Sequence, residues 1–86
     1  MDINELIAIV KKKLKNQIHI ENMNIEDKSF LHRSHKGNQE GKFHLKITIK
    51  SDELKKLSKI ESNKKIYKIL DQEVKQFIHS IQILIT

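Results

Sequence analysis

Apolar residues recur along the chain with two different periods, and these periods predict its secondary structure. The first apolar stripe has the spacing of one helical face and consists of Ile3, Leu6, Ile7, Val10 and Leu14. This stripe predicts a helix over Asp2–Lys15, with Asp2 and Glu5 at the spacing of a capping box. A basic amphipathic helix of this kind could lie on a membrane surface, but such a stripe more often packs into a core, and we expect the latter.

Three later stretches alternate between apolar and polar residues, which predicts strands over Gln17–Glu26, Phe43–Lys50 and His79–Ile85. In the first stretch the alternation changes parity between Ile20 and Met23, which indicates a bulge or a bend. The second stretch alternates most regularly. Its apolar face consists of Phe43, Leu45, Ile47 and Ile49, so His44 is expected to point outward. In the third stretch Ile81, Ile83 and Ile85 predict an inner face, and His79 shares their parity, so it is expected to be either a satisfied residue at the edge of the core or a ligand.

The segment Ser51–Ile78 is predicted to be helical. Ser51 can cap a short helix that contains Leu54 and Leu57. A longer helix is expected to begin at Ser62 or Asn63. Its predicted buried stripe consists of Ile66, Tyr67, Leu70, Val74, Phe77 and Ile78.

The predicted order of elements is α, β, β, α, α, β. A helical connection between the second and third strands leaves room for a right-handed crossover. We therefore expect a single α+β domain over residues 1–86, in which a three-stranded mixed sheet carries helices on one face.

The predicted loop Asp27–Lys42 carries the most chemistry. Together with the start of the next strand it brings His32, His35 and His44 into thirteen positions, and it holds both glycines of the chain. A connection of sixteen residues is long for so small a domain, which is typical of a functional loop or of disorder. His19, on the polar parity of the first predicted strand, is expected to be an ordinary surface residue.

Composition narrows the function classes. The chain has no cysteine, so it can supply neither a disulfide nor a thiolate ligand. Seventeen basic residues against eleven acidic ones give a net charge of +6, which favours anionic partners. Sixteen of the basic residues are lysines, which lack the planar fork that arginine uses to read bases. No signal-peptide core or membrane span is expected, so the chain is interpreted as a soluble cytoplasmic protein.

An ordered set of short motifs resembles the BolA-like family over about residues 3–85. The resemblance begins with Asp27-Lys-Ser29 and the pattern S-x-x-H-x-x-H that ends at His35. It continues through GNQEG into the strand that contains His44-Leu45-Lys46-Ile47, where the family has H-F-K-V. It ends with Lys65-Ile66-Tyr67 and with Ile78-His79-Ser80-Ile81, which is similar to the family's V-H-A-L. The chain departs from the family at Leu54-Lys55-Lys56, where the family's F-x-G has a glycine, and at Ser62-Asn63-Lys64, where the family has R-H-R.

The resemblance implies a fold similar to a type II KH domain and a heterodimer with a monothiol glutaredoxin. In such heterodimers a [2Fe–2S] cluster is shared, with sulfur ligands from the glutaredoxin cysteine and from glutathione. The family's nitrogen ligand at the head of the last strand corresponds to His79, and the second ligand would be His35 or, alternatively, His32. His44 would lie beside the ligands or on the surface. The isolated chain would hold no cofactor and would be a monomer or a weak homodimer.

The alternative hypothesis is a KH-like nucleic-acid-binding transcriptional regulator. Its candidate contacts are Lys55, Lys56, Lys59, Lys64, Lys65 and Lys68. KH domains clamp the nucleic-acid backbone with a G-x-x-G loop. Here the segment between the helices has no glycine. An enzyme is not expected, because a mobile loop would not preorganise a serine and a histidine as nucleophile and base.

Overall fold

The computed structural model describes residues 1–29 and 42–86 of the chain. Its elements in order are α1 (Ile3–Gln17), β1 (Asn22–Asp27), β2 (Phe43–Lys50), α2 (Asp52–Lys55), α3 (Lys59–Ile69), α4 (Asp71–Gln76) and β3 (Ile78–Ile85). The sheet has the order β1-β2-β3, in which β2 pairs antiparallel with β1 and parallel with β3. The predicted α+β class and the three-stranded mixed sheet are confirmed.

One hydrophobic core lies between the sheet and the helices. The predicted inner face of β2 supplies Leu45, Ile47 and Ile49, each at most 2% exposed. The stripe of α1 meets this face with Leu6, Val10 and Leu14, and α3 adds Ile66. The other face of β2, which carries Lys46 and Thr48, is only partly covered.

The first strand begins later than predicted. Gln17 is the last residue of α1, and Ile18 follows it as an extended cap that is 3% exposed. Ile18 and Ile20 therefore contribute to the core from a linker, and the strand begins at Asn22. The change of parity marks this junction, because the linker residues and the residues of β1 belong to two separate segments, each with its own side chains facing the core. Of the capping box predicted for α1, the structure shows the bond from the Glu5 backbone N–H to Asp2 Oδ1.

The helices of the second half begin at serine caps. Ser51 caps α2 as predicted, and its hydroxyl oxygen accepts a bond from the Leu54 N–H at 3.2 Å. The predicted start of the longer helix at Ser62 or Asn63 is wrong. The helix begins at Lys59, because Ser58 and Glu61 form a complete capping box one turn earlier.

Two residues of the predicted buried stripe, and one residue outside it, behave differently from the prediction. Tyr67 is 39% exposed, and its hydroxyl donates to the Ile81 carbonyl oxygen at 3.3 Å. Ile78 is buried as the first residue of β3 rather than as part of a helix. Glu73, which is not part of that stripe, is only 6% exposed, and its carboxylate is paired with the Lys13 ammonium at 2.7 Å. This pair ties α1 to α4.

Acid pH is expected to weaken the attachment of α2 to its surroundings. The Lys65 ammonium lies 2.9 Å from Glu53 Oε2, and the His19 backbone N–H donates to Oε1. These contacts hold the pKa of Glu53 below its ordinary value of 4.5. A carboxyl with a depressed folded-state pKa stabilises the fold above its unfolded-state pKa, and the contribution is lost as pH falls through the folded value.

We therefore expect Glu53→Gln to lower stability at neutral pH and to reduce the loss of stability between neutral pH and a pH below 4.5. Urea denaturation at a series of pH values measures both effects. Lys65→Met is the matched variant, since it removes the other partner of the same ion pair. Identical pH dependence in Glu53→Gln and the parent chain would contradict the assignment.

Within residues 1–29 and 42–86, no helix has the length and apolar character that crossing a membrane requires.

Candidate metal site at the start of the third strand

The third strand begins with an extra residue. Phe43 of β2 is paired with Ile78, whereas the next residue, His44, is paired with Ser80. His79 therefore lies in a β-bulge and has no partner of its own in β2. Bulges of this kind re-aim a side chain and often lie near functional sites.

The bulge reconciles two apolar patterns that do not match. Phe43 and Leu45 on β2 are two positions apart, whereas their partners Ile78 and Ile81 on β3 are three apart. Both isoleucines can face the core only if one residue is added between them. The core burial of Ile78, which is 2% exposed, is thus obtained by displacing His79.

The prediction that His79 shares the inner face is therefore wrong. Its side chain is exposed, and its ring centroid lies 4.9 Å from that of His44, on the opposite side of the sheet from the core. The two ring planes are inclined by 51°. The structure thus brings together two imidazoles that are 35 residues apart in the sequence.

His44 does not lie on the surface, although it points to the outer face as expected. It is 4% exposed, and its Nδ1 lies 2.7 Å from the hydroxyl oxygen of Ser80. The Ser80 contact connects the His44 ring to the beginning of β3. A buried ring held in this way provides a fixed neighbour for the exposed ring of His79.

The motif Asp27-Lys-Ser29 anchors the backbone under this site. The Ser29 hydroxyl donates to Asp27 Oδ1 at 2.6 Å, and the same carboxylate oxygen accepts from the Ser29 N–H. The Ser29 hydroxyl oxygen in turn accepts a bond from the His44 backbone N–H at 3.1 Å. Since its hydroxyl is occupied by these two bonds, Ser29 has a structural role here.

The predicted loop ligands His32 and His35 lie outside the described residues. Within the two described ranges, no three His, Asp or Glu side chains are grouped closely enough to hold a metal ion. Imidazole nitrogen is a good ligand for iron, but two imidazoles do not complete the ligand set of a cluster that needs four protein or thiol ligands. The described site therefore fits a role in which the remaining ligands come from outside the described residues.

The candidate nucleic-acid contacts lie on α2, α3 and the turn between them. Lys65 is half-buried and is paired with Glu53, so its charge is partly neutralised. The others have exposed side chains, and they are Lys55, Lys56, Lys59, Lys64 and Lys68. These helices pack on the core face of the sheet, whereas the imidazole pair lies on the opposite face, so the two candidate sites are distinct.

Two residues of the imidazole site were missed from the sequence, namely Ser80 as the partner of His44 and Ser29 as the support of its backbone. A signal for the first was present. The three-residue spacing of Ile78 and Ile81 breaks the alternation that Ile83 and Ile85 continue, and this break indicates the bulge. No comparable signal points to Ser29, because its role depends on where β2 begins in space.

Comparison with known proteins, by sequence and by fold, points to one family. A model of the BolA-like protein family matches residues 14–86. The chain is 29% identical, over 73 residues, to a Haemophilus influenzae protein named DNA-binding transcriptional regulator BolA; the match covers 85% of this chain and 68% of that protein.

Solved structures of BolA domains share the fold. The BolA domain of SufE1 from Arabidopsis thaliana superposes with a TM-score of 0.79 at 23% identity, over 100% of this chain and 93% of that one. BolA1 from the same plant gives a TM-score of 0.76 at 22% identity, over 92% and 87% of the two chains. The mouse BolA1 solution structure gives 0.71 at 17% identity, over 90% and 60%. With the family model matching most of its length, the chain belongs to the BolA-like protein family.

Proposed function

We propose that this chain is an adaptor that pairs with a monothiol glutaredoxin and contributes His79 as a nitrogen ligand to a [2Fe–2S] cluster shared between the two proteins. The observation that carries the proposal is the bulge in β3. It exposes the His79 imidazole on the outer face of the sheet, 4.9 Å from the ring of the buried His44. An exposed imidazole with a fixed neighbour is accessible to a partner protein.

The ligand inventory supports a shared cluster rather than a cluster held by this chain alone. The chain has no cysteine, and iron–sulfur clusters depend on thiolate ligands. The sulfur ligands would come from the glutaredoxin cysteine and from glutathione. A cluster with imidazole on one iron has a higher reduction potential than one with thiolates only, and this is the property that the chain would supply.

His44 would position the ligand rather than act as one. Its Nδ1 is close to the Ser80 hydroxyl, and its ring packs against that of His79. Neighbours that fix the orientation of a ligand ring typically affect metal affinity by about 10–100-fold. The second ligand from this chain remains, as a prediction, His35 or His32.

The test is a titration of the chain, labelled with ¹⁵N at histidine, with cluster-loaded monothiol glutaredoxin. We expect the His79 and His44 resonances to shift or lose intensity first, together with one loop histidine. His19, which is 79% exposed and lies before β1, serves as the internal control and should be unaffected at the same ratios. Titration with apo-glutaredoxin separates effects of the cluster from those of docking. An unchanged His79 resonance at saturation would exclude it from the ligand set.

Nucleic-acid binding is the second candidate, and it is favoured by the name of the Haemophilus influenzae relative and by five exposed lysines on α2, α3 and their turn. Lysine charge of this kind supports salt-sensitive binding without base recognition. It ranks below the adaptor role because the turn lacks the glycines with which KH domains approach phosphates. A titration in which glutaredoxin shifts only these lysine-bearing helices would raise its rank.

A further inference from the structure

A second surface feature lies at the opposite end of the sheet from His79. A groove of about 350 Å³ runs between the C-terminal half of β3 and the α2–α3 turn. Its apolar wall includes Leu57, Ile83 and Ile85, all half-buried, while Lys55 and Lys59 are exposed at its margin. Of the residues in 1–29 and 42–86 that line it, none is acidic.

The backbone of β3 faces this groove with hydrogen-bonding groups that the sheet does not use. β3 is an edge strand in the order β1-β2-β3. The bond from the Thr86 N–H to the Ile49 carbonyl oxygen, together with the register of β2 and β3, shows that even-numbered residues of β3 after the bulge bond to β2. Odd-numbered residues therefore direct their N–H and C=O groups away from β2, and the Tyr67 hydroxyl reaches the Ile81 carbonyl oxygen from that side. Ile83 and Ile85 are the next two residues along this edge.

An edge strand with no charged residue is a template on which another strand can pair through backbone hydrogen bonds. The segment from Ile78 to Thr86 contains no Asp, Glu, Lys or Arg and is rich in isoleucine. Proteins commonly protect such edges with charges, proline or a covering segment. Here the protection from described residues is the Tyr67 hydroxyl, which covers Ile81 and leaves the part next to the groove.

We propose that this groove binds an extended acidic segment of a partner protein, which adds to β3 as a fourth strand. Its backbone would bond to the outward N–H and C=O groups of Ile83 and Ile85, and alternate apolar side chains would enter the groove. Its carboxylates would face Lys55 and Lys59. Main-chain bonds supply the affinity in this mode of recognition, and side-chain pockets supply the specificity.

Charge and chemistry distinguish this occupant from two others. A second copy of the chain would bring the same lysines to the groove and carries the same net charge of +6, so it would be repelled. Single-stranded nucleic acid binds to aromatic or arginine platforms on which its bases stack. Among the described residues that line the groove there is neither an aromatic residue nor an arginine, and the segment Lys55–Ser58 has no glycine.

The experiment uses a fluorescein-labelled eight-residue peptide of alternating valine and glutamate, with blocked ends, and measures its anisotropy with the full chain. We expect binding that weakens with salt, with amide shifts at Ile83 and Ile85 in a ¹⁵N spectrum. The same peptide with lysine in place of glutamate should not bind. Lys55→Glu/Lys59→Glu should weaken binding by about tenfold or more. Lys12→Glu/Lys15→Glu, on the exposed face of α1, gives the same change in net charge and should have a much smaller effect.

Two peptide analogues test strand addition without altering the protein. Methylation of the backbone nitrogens of one alternate set should abolish binding, whereas methylation of the other set should leave it intact, because only one set faces β3. Equal tolerance of both analogues overturns the proposal, as does equal weakening by the two lysine double variants. Tighter binding of a decathymidylate at the Ile83 and Ile85 amides also overturns it, in favour of nucleic acid. A failure here leaves the His79 site untouched, since the two lie at opposite ends of β3.

Discussion

Replacement of His79 by alanine is expected to remove the shared cluster from a complex with a monothiol glutaredoxin, or to reduce its retention by at least about tenfold. Loss of a residue that only supports a metal ligand already lowers metal affinity by about 10–100-fold, and loss of the ligand itself should cost at least as much. The His79 side chain is exposed and is displaced from the core by the bulge, so its loss should leave the fold intact. Visible circular dichroism of the co-purified complex and its iron content measure the effect.

The chain offers a matched control in His19. It is another exposed histidine, and its ring interacts with Glu21 at 3.7 Å, away from the start of β3. His19→Ala should leave the spectrum and the iron content unchanged. Equal loss in both variants would indicate that histidines act through general charge or solubility and would contradict the ligand role.

A third variant distinguishes ligation from mere contact. His79→Cys keeps a side chain that can bind iron but replaces nitrogen with sulfur. We expect it to retain a cluster with a lower reduction potential, because thiolate ligation lowers the potential of a [2Fe–2S] centre relative to imidazole ligation. A potential equal to that of the parent complex would mean that residue 79 does not bind the iron.

The largest effect on stability is expected from Ile47→Ala. Ile47 lies on the central strand, is fully buried, and is paired with Ile25 on β1 and Ile83 on β3. Truncation of a buried isoleucine to alanine costs about 2–5 kcal/mol, through lost burial and the cavity that remains. A domain of this length has roughly 4–13 kcal/mol of stability in total, so the variant should lose a large share of it.

Urea denaturation followed by far-ultraviolet circular dichroism measures this loss. Leu84→Ala is the matched control, because it removes an aliphatic side chain of the same size from the outer face of β3, where Leu84 is 48% exposed. Its effect should stay below about 1 kcal/mol. Similar midpoints for the two variants would mean that the sheet is not packed on the face described.

Much of the fold could be predicted from local patterns. The stripe of α1 and the alternation in β2 are long and regular, and the Ser51 cap has a side chain that satisfies a free helical N–H. The predicted boundaries of helices and strands were wrong where a short apolar pattern is compatible with more than one type of element. Ile18 and Ile20 read as a strand, although they pack from a linker after α1. Ser58 has the same capping chemistry as Ser62, and only Glu61 at its third following position distinguishes it.

The candidate site was identified only in part. The resemblance pointed to His79, and the clustering of histidines drew attention to His44. The partnership between the two was not predicted, because parity assigned His79 to the core side. Pairing of β2 with β3 requires residues that are far apart in the chain to meet in one register, and a local pattern does not contain that register.

The sequence by itself determined the α+β class, the inner face of β2 and the absence of any thiolate ligand, since each depends on residue type or on periodicity within one segment. Only the tertiary structure decided that His79 lies beside His44 on the outer face, and that the end of β3 lines a groove together with two lysines. The physical reason is that Ile78 and Ile81, three positions apart, must both face the core. Their burial requires one extra residue in β3, and that residue is the histidine.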